Sequence, residues 1–451
     1  MRKLFGTDGI RGVAGQYPLD AETVYRMGAA LAHHLLTSHG KVKVVIGQDT
    51  RESSPWIADT LTAGLESAGA EVASAGVVTT PAIAYLARTS DFAAGIVISA
   101  SHNPWTDNGI KIFGHDGFKL PDATELEIEK EIFAQLRNGT AAKGSIRNAS
   151  VPGDHALAEK YEHWLAEFER GVDMSAFKIV VDCANGAASA VAPELFPLVG
   201  IKAATFTHHT PNGRNINDHC GALHPEVVAK EVVGQKADMG VCFDGDADRA
   251  LFADHTGKIV NGDAVLLLTA REMKARGALK ANTVVATTMS NMGLEAALKK
   301  DGIKMLRAPV GDKYVLEEMQ KTGATLGGEQ SGHIIFSELA TTGDGLLTAL
   351  KVIEVVAKSG KKLADLVSDM QVYPQVIKNV RVREKMPLEQ ISEVASTIEA
   401  ANTDLRDEGR VVVRYSGTEA LCRVMIEAAS EEKMNLHADA IAGAIRKSIG
   451  V

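Results

Sequence analysis

The segment DGDADR carries three aspartates at alternate positions and ends on an arginine, as Asp244, Asp246, Asp248 and Arg249. Carboxylates this close together repel one another unless a cation lies between them. Oxygen ligands select a hard divalent metal, and three carboxylates leave coordination positions that a phosphate can share with Mg²⁺. An EF-hand loop is excluded, because Arg249 and His255 occupy the positions where it requires glycine and glutamate. We therefore expect a Mg²⁺ site at this segment.

A serine that could carry a phosphoryl group lies in the segment SASHNP, at Ser101. The segment is not a nucleophile elbow, since Ser99 and Asn103 occupy the positions where that turn has glycine. A serine close to Mg²⁺ and to basic side chains is suited to phosphoryl transfer rather than acyl transfer. His102 adjoins this serine, and Lys111 in NGIKIF could neutralise the phosphate.

The segment RYSGTEALCR is predicted to bind a second phosphate. Small hydroxyl residues and free backbone N–H groups form a nest for anions, and arginine contacts phosphate through two parallel hydrogen bonds. A Ser-Gly-Thr turn alone is common in hairpins, but the flanking arginines favour phosphate binding. The residues are Arg414, Ser416, Gly417, Thr418 and Arg423.

Two further segments carry polar side chains with a possible role at a site. GEQSGH places Glu329, Ser331 and His333 at alternate positions, and glutamate and serine bind the vicinal hydroxyls of a sugar well. His333 alone is better explained as a structural histidine than as a catalyst. GTDGIRG supplies Arg11 on a glycine-rich turn.

Three copies of one order of elements position most of these segments. Each copy has an apolar strand, a helical stretch, a glycine, a second strand, another helical stretch and a third strand. The third strands, DFAAGIVISA, ADMGVCF and GATLGG, lead into SHNP, DGDADR and EQSGH. This alternation predicts parallel βαβ units with helices on both faces of each sheet. Because ligands bind at the carboxyl ends of strands in such sheets, we expect the three loops to face one cleft.

The remainder of the chain, from about residue 370, reads as a smaller α+β domain with the strands VIKNVRVRE, RVVVRYSG and LCRVMIEAA. We therefore predict four domains. The first holds the serine loop, the second the metal-binding loop, the third the sugar-binding loop and the fourth the phosphate-binding loop, with the bounds 1–153, 154–258, 259–369 and 370–451.

Composition restricts the class of protein. The chain has 451 residues and a net charge of −9, which argues against nonspecific binding of nucleic acid. Its four cysteines are scattered without a C-x-x-C pair, which suits a reducing compartment. Since no apolar run approaches the length of a membrane span and no signal sequence begins the chain, we expect a cytoplasmic protein without a membrane partner.

Taken together, GTDGIRG, SASHNP, DGDADR, GEQSGH and RYSGTE resemble the α-D-phosphohexomutase superfamily, over the whole chain and in the same order. The resemblance implies three related α/β domains with mixed sheets and a smaller α+β domain around a central cleft. Gln330, in GEQSGH, resembles the glutamine of the phosphoglucosamine branch. The phosphomannomutase/phosphoglucomutase branch typically has methionine at this position. Ala420 and Trp105 depart from the usual proline and tyrosine of the family, and neither removes a group with a chemical role.

The resemblance also implies a role for each residue of the motifs. Ser101 would be the phosphoserine and would ligate Mg²⁺ together with Asp244, Asp246 and Asp248. The residues implied around the transferred phosphoryl group are Arg11, His102, Lys111 and Arg249. Those implied to bind the sugar are Glu329, Ser331 and His333. Those implied to bind the other phosphate are Arg414, Ser416, Gly417, Thr418 and Arg423.

The reaction implied is the interconversion of glucosamine 6-phosphate and glucosamine 1-phosphate through a 1,6-bisphosphate, in amino-sugar and cell-wall precursor synthesis. One Mg²⁺ per chain and a glucosamine or glucose 1,6-bisphosphate primer would be required, and a homodimer is one assembly open to the chain. Two other functions stay open at this point: a phosphomannomutase or phosphoglucomutase, and a noncatalytic sensor of sugar phosphates.

Overall fold

The computed structural model describes residues 4–6, 8–39, 42–137, 152–168, 171–416 and 420–451. The chain divides into two units, one of Met1–Thr287 with Leu306–Ser368 and one of Thr288–Met305 with Asp369–Val451. Within the described residues, no helix combines the length and the apolar character needed to cross a membrane.

The first unit begins with a five-stranded sheet and the helices that cover it. Its strands are β1 Ile10–Val13, β2 Lys43–Gln48, β3 Glu71–Val77, β4 Ala94–Ile98 and β5 Asp107–Gly114. Its helices are α1 Ala21–His39, α2 Ser54–Ser67, α3 Thr80–Thr89 and α4 Asp122–Arg137. The sheet order is β1-β5-β4-β2-β3, with β2 parallel to β3 and β4 and with β5 antiparallel to β4. Helices α1 and α2 pack closely at two glycines, because a Cβ on Gly28 would lie 2.3 Å from the Leu61 carbonyl oxygen.

The second sheet repeats this arrangement. Its strands are β6 Lys178–Asp182, β7 Ala203–Thr207, β8 Met239–Phe243, β9 Ala250–Asp254 and β10 Ile259–Val260. Its helices are α5 His155–Glu167, α6 Ala188–Leu198 and α7 Pro225–Gln235. The order is β10-β9-β8-β6-β7, and β9 again lies antiparallel to the third strand of the repeat.

The third repeat forms a four-stranded sheet of the order β12-β11-β13-β14. Its strands are β11 Thr283–Thr287, β12 Lys304–Ala308, β13 Leu326–Gly328 and β14 Ile334–Phe336. Its helices are α8 Gly262–Ala275, α9 Met292–Lys300, α10 Asp312–Thr322, α11 Gly345–Ser359 and α12 Leu363–Leu366. The three sheets share the order of four corresponding strands, so the threefold repeat and the mixed α/β class predicted from the sequence are confirmed.

The strands that precede the polar loops are buried on both faces. Every residue of β4 and of β8 is buried, as the continuous apolar runs AGIVI and MGVCF require. The polar side chains of the serine and aspartate loops therefore come directly after rigid, buried strands. Polar side chains also fix helix starts at this end of the sheets: Thr79 accepts from the Ala82 N–H and Asp344 accepts from the Leu347 N–H.

The second unit is built on a three-stranded antiparallel sheet of the order β15-β17-β16. Its elements besides α9 are β15 Gln375–Arg381, α13 Ser392–Leu405, β16 Gly409–Tyr415, β17 Leu421–Ala428 and α14 Glu431–Ile449. The segment Thr288–Met305 belongs to this unit, because Asn291 donates to the Tyr373 carbonyl at 3.0 Å and the Met292 N–H donates to Glu427 at 2.9 Å. The predicted α+β C-terminal domain is confirmed, and the predicted domain bounds stay predictions.

Candidate active site

The serine loop follows β4 and holds Ser101 in a strained backbone conformation. Ser101 has a φ of +53° and is 1% exposed. A positive φ is uncommon for a residue with a side chain, and such strain concentrates at functional positions. Here Ser101 Oγ donates to Asp244 Oδ2 at 2.6 Å and lies 3.3 Å from His102 Nδ1. The predicted proximity of the serine to the aspartates is thus present in the structure.

The aspartate loop follows β8, and all three of its aspartates are buried. Asp244 and Asp246 have no exposed surface. Asp246 Oδ2 accepts from Lys111 Nζ at 2.8 Å and from Thr80 Oγ1 at 2.6 Å. Lys111 Nζ also lies 3.4 Å from Asp248 Oδ2, so one buried ammonium is shared between two of the three carboxylates.

Gly245 explains how the two loops can approach each other so closely. A Cβ on this residue would lie 2.5 Å from the Ser101 carbonyl oxygen and 2.9 Å from Asn217 Nδ2. No side chain fits in that space. The glycine between the first two aspartates is therefore required by the contact between the loops.

Charge and burial shift the protonation equilibria of the site in different directions. Burial raises the pKa of Asp244 well above its usual value, and the charges of Asp248 and Asp246 add to that rise. Burial also acts to raise the pKa of Asp248, but Lys111 and His333 hold it well below its usual value. Burial, with Arg249 and Arg11, lowers the pKa of His102 to about 4, so its imidazole is neutral at pH 7.

The residues present fit a divalent metal. One carboxylate oxygen from each of Asp244, Asp246 and Asp248 lies within 4.8 Å of the others. Asp246 Oδ1 and Asp248 Oδ1 are buried and have no hydrogen-bond partner among the described residues. A buried carboxylate oxygen without a partner is costly, and a hard cation would satisfy both. The predicted ligands are therefore placed where one ion could reach all of them.

Two arginines flank the aspartates with unused donors. Arg249 Nε lies 3.7 Å from Asp248 Oδ1 and 4.0 Å from Asp244 Oδ2. Arg11 is ion-paired with Asp8. Within the described part of the chain, the buried Nε atoms of both arginines have no hydrogen-bond partner. Such donors suit the oxygens of a phosphoryl group.

The loop after β13 carries Glu329, Ser331 and His333, and it belongs to the first unit, as the serine and aspartate loops do. Glu329 Oε1 accepts from the Gly311 N–H at 3.0 Å, and Ser331 Oγ lies 3.5 Å from Glu329 Oε2. His333 Nδ1 lies 3.6 Å from Asp248 Oδ1, and its Nε2 accepts from the Gly343 N–H at 3.0 Å. His333 thus contacts a proposed metal ligand directly, which its sequence position did not indicate.

A buried arginine that sequence reasoning missed holds the serine loop in place. Arg51 is 1% exposed and donates to the Ser101 carbonyl at 2.8 Å and the Asn103 carbonyl at 2.9 Å. Its Nε donates to Asp49 Oδ2 at 2.8 Å. The spacing of an aspartate and an arginine directly after β2, in QDTR, was the available signal. Asn217 supplies a second donor to the Ser101 carbonyl, at 2.9 Å.

The second unit carries the predicted phosphate-binding segment. Arg414 on β16 is directly opposite Arg423 on β17, and directly opposed side chains share one face of a sheet. Burial and the neighbouring Arg423 lower the pKa of Arg414. Ser416 is buried and its carbonyl accepts from Lys385 Nζ at 2.7 Å, a lysine that the sequence motif did not include. Gly417 and Thr418 lie outside the described residues.

Four family profiles of phosphoglucomutase/phosphomannomutase match the chain in sequence. Those of alpha/beta/alpha domains I, II and III match residues 2–138, 161–257 and 261–373, and that of the C-terminal domain matches 377–444. The chain is 63% identical to a phosphoglucosamine mutase of Koribacter versatilis, covering 100% of this chain and 98% of the relative. It is 51% identical to a phosphoglucosamine mutase of Solibacter usitatus, over 100% and 99% of the two chains.

Solved structures share the fold. A phosphoglucomutase/phosphomannomutase family protein of Burkholderia thailandensis has a TM-score of 0.79 at 23% identity, with 100% of both chains covered. N-acetylphosphoglucosamine mutase of Aspergillus fumigatus, solved in complex with GlcNAc-6P and magnesium, has a TM-score of 0.69 at 19% identity, over 100% and 96% of the two chains. On the family profiles and the identity to its bacterial relatives, the chain belongs to the phosphoglucosamine mutase family of the phosphoglucomutase/phosphomannomutase superfamily.

Proposed function

We propose that the chain interconverts glucosamine 6-phosphate and glucosamine 1-phosphate, with Ser101 as the phosphoryl carrier. The observation that carries this proposal is the 2.6 Å hydrogen bond from Ser101 Oγ to Asp244, beside two further buried aspartates with unsatisfied oxygens. A nucleophilic serine surrounded by carboxylates and cations is suited to moving a phosphoryl group. Family membership supports the amino sugar as the substrate.

In the first half of the proposed reaction, phospho-Ser101 gives its phosphoryl group to the C1 hydroxyl of glucosamine 6-phosphate. The bond between phosphorus and Ser101 Oγ breaks and a bond from phosphorus to the C1 oxygen forms, while the C1 hydroxyl gives its proton to a base and Ser101 Oγ takes up a proton. In the second half, Ser101 Oγ gives up its proton and takes the phosphoryl group from C6 of the reoriented 1,6-bisphosphate, and the C6 oxygen receives a proton. Glucosamine 1-phosphate leaves, and the phosphoserine is regenerated.

The chain's own residues have separate tasks in this cycle. The hydrogen bond to Asp244 Oδ2 orients the free Ser101 hydroxyl, and the neutral His102 lies at its other side. The unused Nε donors of Arg11 and Arg249 are proposed to bind the oxygens of the transferred group, with Lys111 as a further cation. Fixed donors of this kind stabilise charge without having to reorganise during the reaction.

Asp244, Asp246 and Asp248 are proposed to hold one Mg²⁺, with the phosphate of Ser101 as a further ligand. Bound Mg²⁺ would neutralise the charge that builds on the phosphoryl oxygens. Without a cation, three carboxylates beside a phosphate dianion would oppose phosphorylation of Ser101 by simple repulsion. A trace of glucosamine or glucose 1,6-bisphosphate is proposed as the source of the first phosphoryl group.

The sugar and its second phosphate are assigned to the remaining motif residues. Glu329 and Ser331 are proposed to bind sugar hydroxyls, with His333 beside them. The opposed arginines Arg414 and Arg423, together with Ser416, Gly417 and Thr418, are proposed to bind the phosphate that is not being transferred. Two like charges at directly opposed positions of a sheet are unfavourable unless an anion lies between them, which supports this role.

The proposal is tested by product formation with glucosamine 6-phosphate, glucose 6-phosphate and mannose 6-phosphate in parallel, with Mg²⁺ and the bisphosphate primer. We expect kcat/KM to be highest for the amino sugar. The Ser101→Ala variant is the control for contaminating mutase. A preference for glucose or mannose phosphate would contradict the substrate assignment, and equal turnover by Ser101→Ala would contradict the role of the serine.

A further inference from the structure

Lys111 and a second lysine, Lys119, come from a single hairpin. After β5 the chain turns back at residues 114–118, where the Gly114 N–H donates to the Phe118 carbonyl at 2.8 Å. An isolated bridge then pairs Lys119 with Phe113. The turn is anchored to the third repeat, since Thr341 Oγ1 donates to the Gly117 carbonyl at 2.6 Å. Lys119 is therefore held in a defined position next to the active site without touching any proposed metal ligand in the described contacts.

The ammonium group of Lys119 lies between two carboxylates. Its Nζ is ion-paired with Asp8 and with Asp312, and all three side chains are mostly buried. Asp8 Oδ2 lies 3.2 Å from Lys111 Nζ. On the other side, Asp312 Oδ2 lies 3.9 Å from His333 Nε2. Each carboxylate that Lys119 holds thus also faces a basic side chain of the active site.

These contacts close into a ring in which acidic and basic side chains alternate. Lys111 Nζ lies 3.4 Å from Asp248 Oδ2, and His333 Nδ1 lies 3.6 Å from Asp248 Oδ1. The ring joins side chains of all three repeats within the first unit. In order, its members are Asp248, His333, Asp312, Lys119, Asp8 and Lys111.

We propose that Lys119 is a positioning residue for the mutase reaction: by holding Asp8 and Asp312, it leaves Lys111 and His333 directed at Asp248 and the phosphoryl group. The proposal rests on the function proposed above. Without the Lys119 ammonium, Asp8 would be left to Arg11 and Lys111, and Asp312 to His333. Asp8 would then compete with Asp248 and Asp246 for Lys111, and the uncompensated charge of Asp312 would lie 3.9 Å from His333 Nε2.

This competition would lower turnover but raise the affinity for divalent cations. Lys111 would be drawn from the aspartates toward Asp8, so the phosphoryl group would lose a cation and turnover would fall. A shift of about 1 Å in such a group can cost about 10²-fold in rate. At the same time the three aspartates would be less neutralised, and the site would carry one positive charge fewer. Divalent cations would therefore bind more tightly.

The matched control is Lys313, which also crosses between the first and third repeats. It follows Asp312, the first residue of α10, and is ion-paired with Asp122 at the start of α4, outside the ring. Lys313→Met and Lys119→Met each remove one ion pair between the same two repeats. Lys119→Arg retains the charge and tests whether turnover is rescued.

The experiment measures kcat and KM for glucosamine 6-phosphate, and the dissociation constant of Mn²⁺ by electron paramagnetic resonance, in the full-length protein and the three variants. We expect kcat of Lys119→Met to fall 10- to 100-fold, with KM changed less than threefold and Mn²⁺ bound several-fold more tightly. Lys313→Met should match the wild type in kcat and in Mn²⁺ affinity, and Lys119→Arg should recover most of kcat.

Weaker Mn²⁺ binding in Lys119→Met, or a kcat equal to that of Lys313→Met, would overturn the proposal. If Lys119→Met does not fold, a kcat of Lys119→Arg below one-hundredth of the wild type would also overturn it. Absence of turnover in the wild type would instead refute the proposed function. The Mn²⁺ measurement would still decide the role of the ring in that case.

Discussion

Replacement of Gly245 by alanine tests whether contact between the serine and aspartate loops sets the catalytic geometry. The added Cβ would lie 2.5 Å from the Ser101 carbonyl oxygen, whereas ordinary contact begins at 3.4 Å. The loops must therefore separate by about 1 Å. Gly245 is not among the residues with a positive φ, so alanine introduces a steric change without a backbone one.

A separation of this size would stretch the 2.6 Å hydrogen bond between Ser101 and Asp244 to a distance at which it is lost. We expect kcat to fall by about 10²-fold. Crowding at a buried contact should also lower the free energy of unfolding by about 1–3 kcal/mol. The assays are steady-state turnover of glucosamine 6-phosphate and urea-induced unfolding.

The matched control is Gly234→Ala, at an exposed position on α7 of the same repeat where an added Cβ meets nothing within 4 Å. It should leave kcat unchanged and stabilise the fold slightly, because alanine is the better helix former. The reasoning would be refuted if folded Gly245→Ala kept a kcat within threefold of the wild type.

Three further predictions concern the metal, the serine and a buried acid. Asp246→Asn removes a proposed ligand, so the Mg²⁺ concentration for half-maximal activity should rise at least about tenfold, and an unchanged titration would exclude the aspartate as a ligand. Ser101→Ala should lower turnover by about 10³-fold or more with an unchanged thermal midpoint, whereas an active variant would remove the phosphoserine from the mechanism. Burial raises the pKa of Asp344 to about 6, so the folded state holds a proton that the unfolded state releases near pH 4. The free energy of unfolding should therefore fall by about 3 kcal/mol as the pH rises from 4 to 6, relative to the Asp344→Asn variant, which keeps the helix cap. Parallel pH profiles of the two proteins would contradict the raised pKa of Asp344.

The sequence was sufficient to predict the repeated architecture and the meeting of Ser101 with the aspartates. Both follow from local signals: apolar runs mark the buried strands β4 and β8, and polar loops come directly after them. Once the third strands of two repeats are equivalent, their loops lie at equivalent ends of the sheets. The contact between Ser101 and Asp244 agrees with this prediction.

The groups that hold this arrangement in place could not be predicted in the same way. Thr80 bonds to Asp246 across 166 positions, and Lys119 bonds to Asp312 across 193. Neither periodicity nor local spacing encodes pairings of that length. Arg51 illustrates the same limit, since its guanidinium donates to the Ser101 and Asn103 carbonyls on a loop whose path depends on the finished fold. Such residues become visible only when the repeats are packed together.

The measurement that tests the central claim most directly is the transfer of phosphate through Ser101. The purified protein is incubated with Mg²⁺ and glucose 1,6-bisphosphate, and the modified peptide is identified by mass spectrometry before and after glucosamine 6-phosphate is added. We predict a single phosphate on Ser101 that passes to the sugar at the rate of turnover. A serine that stays unmodified, or a phosphoserine that does not react with the sugar, would contradict the account and favour a noncatalytic sensor.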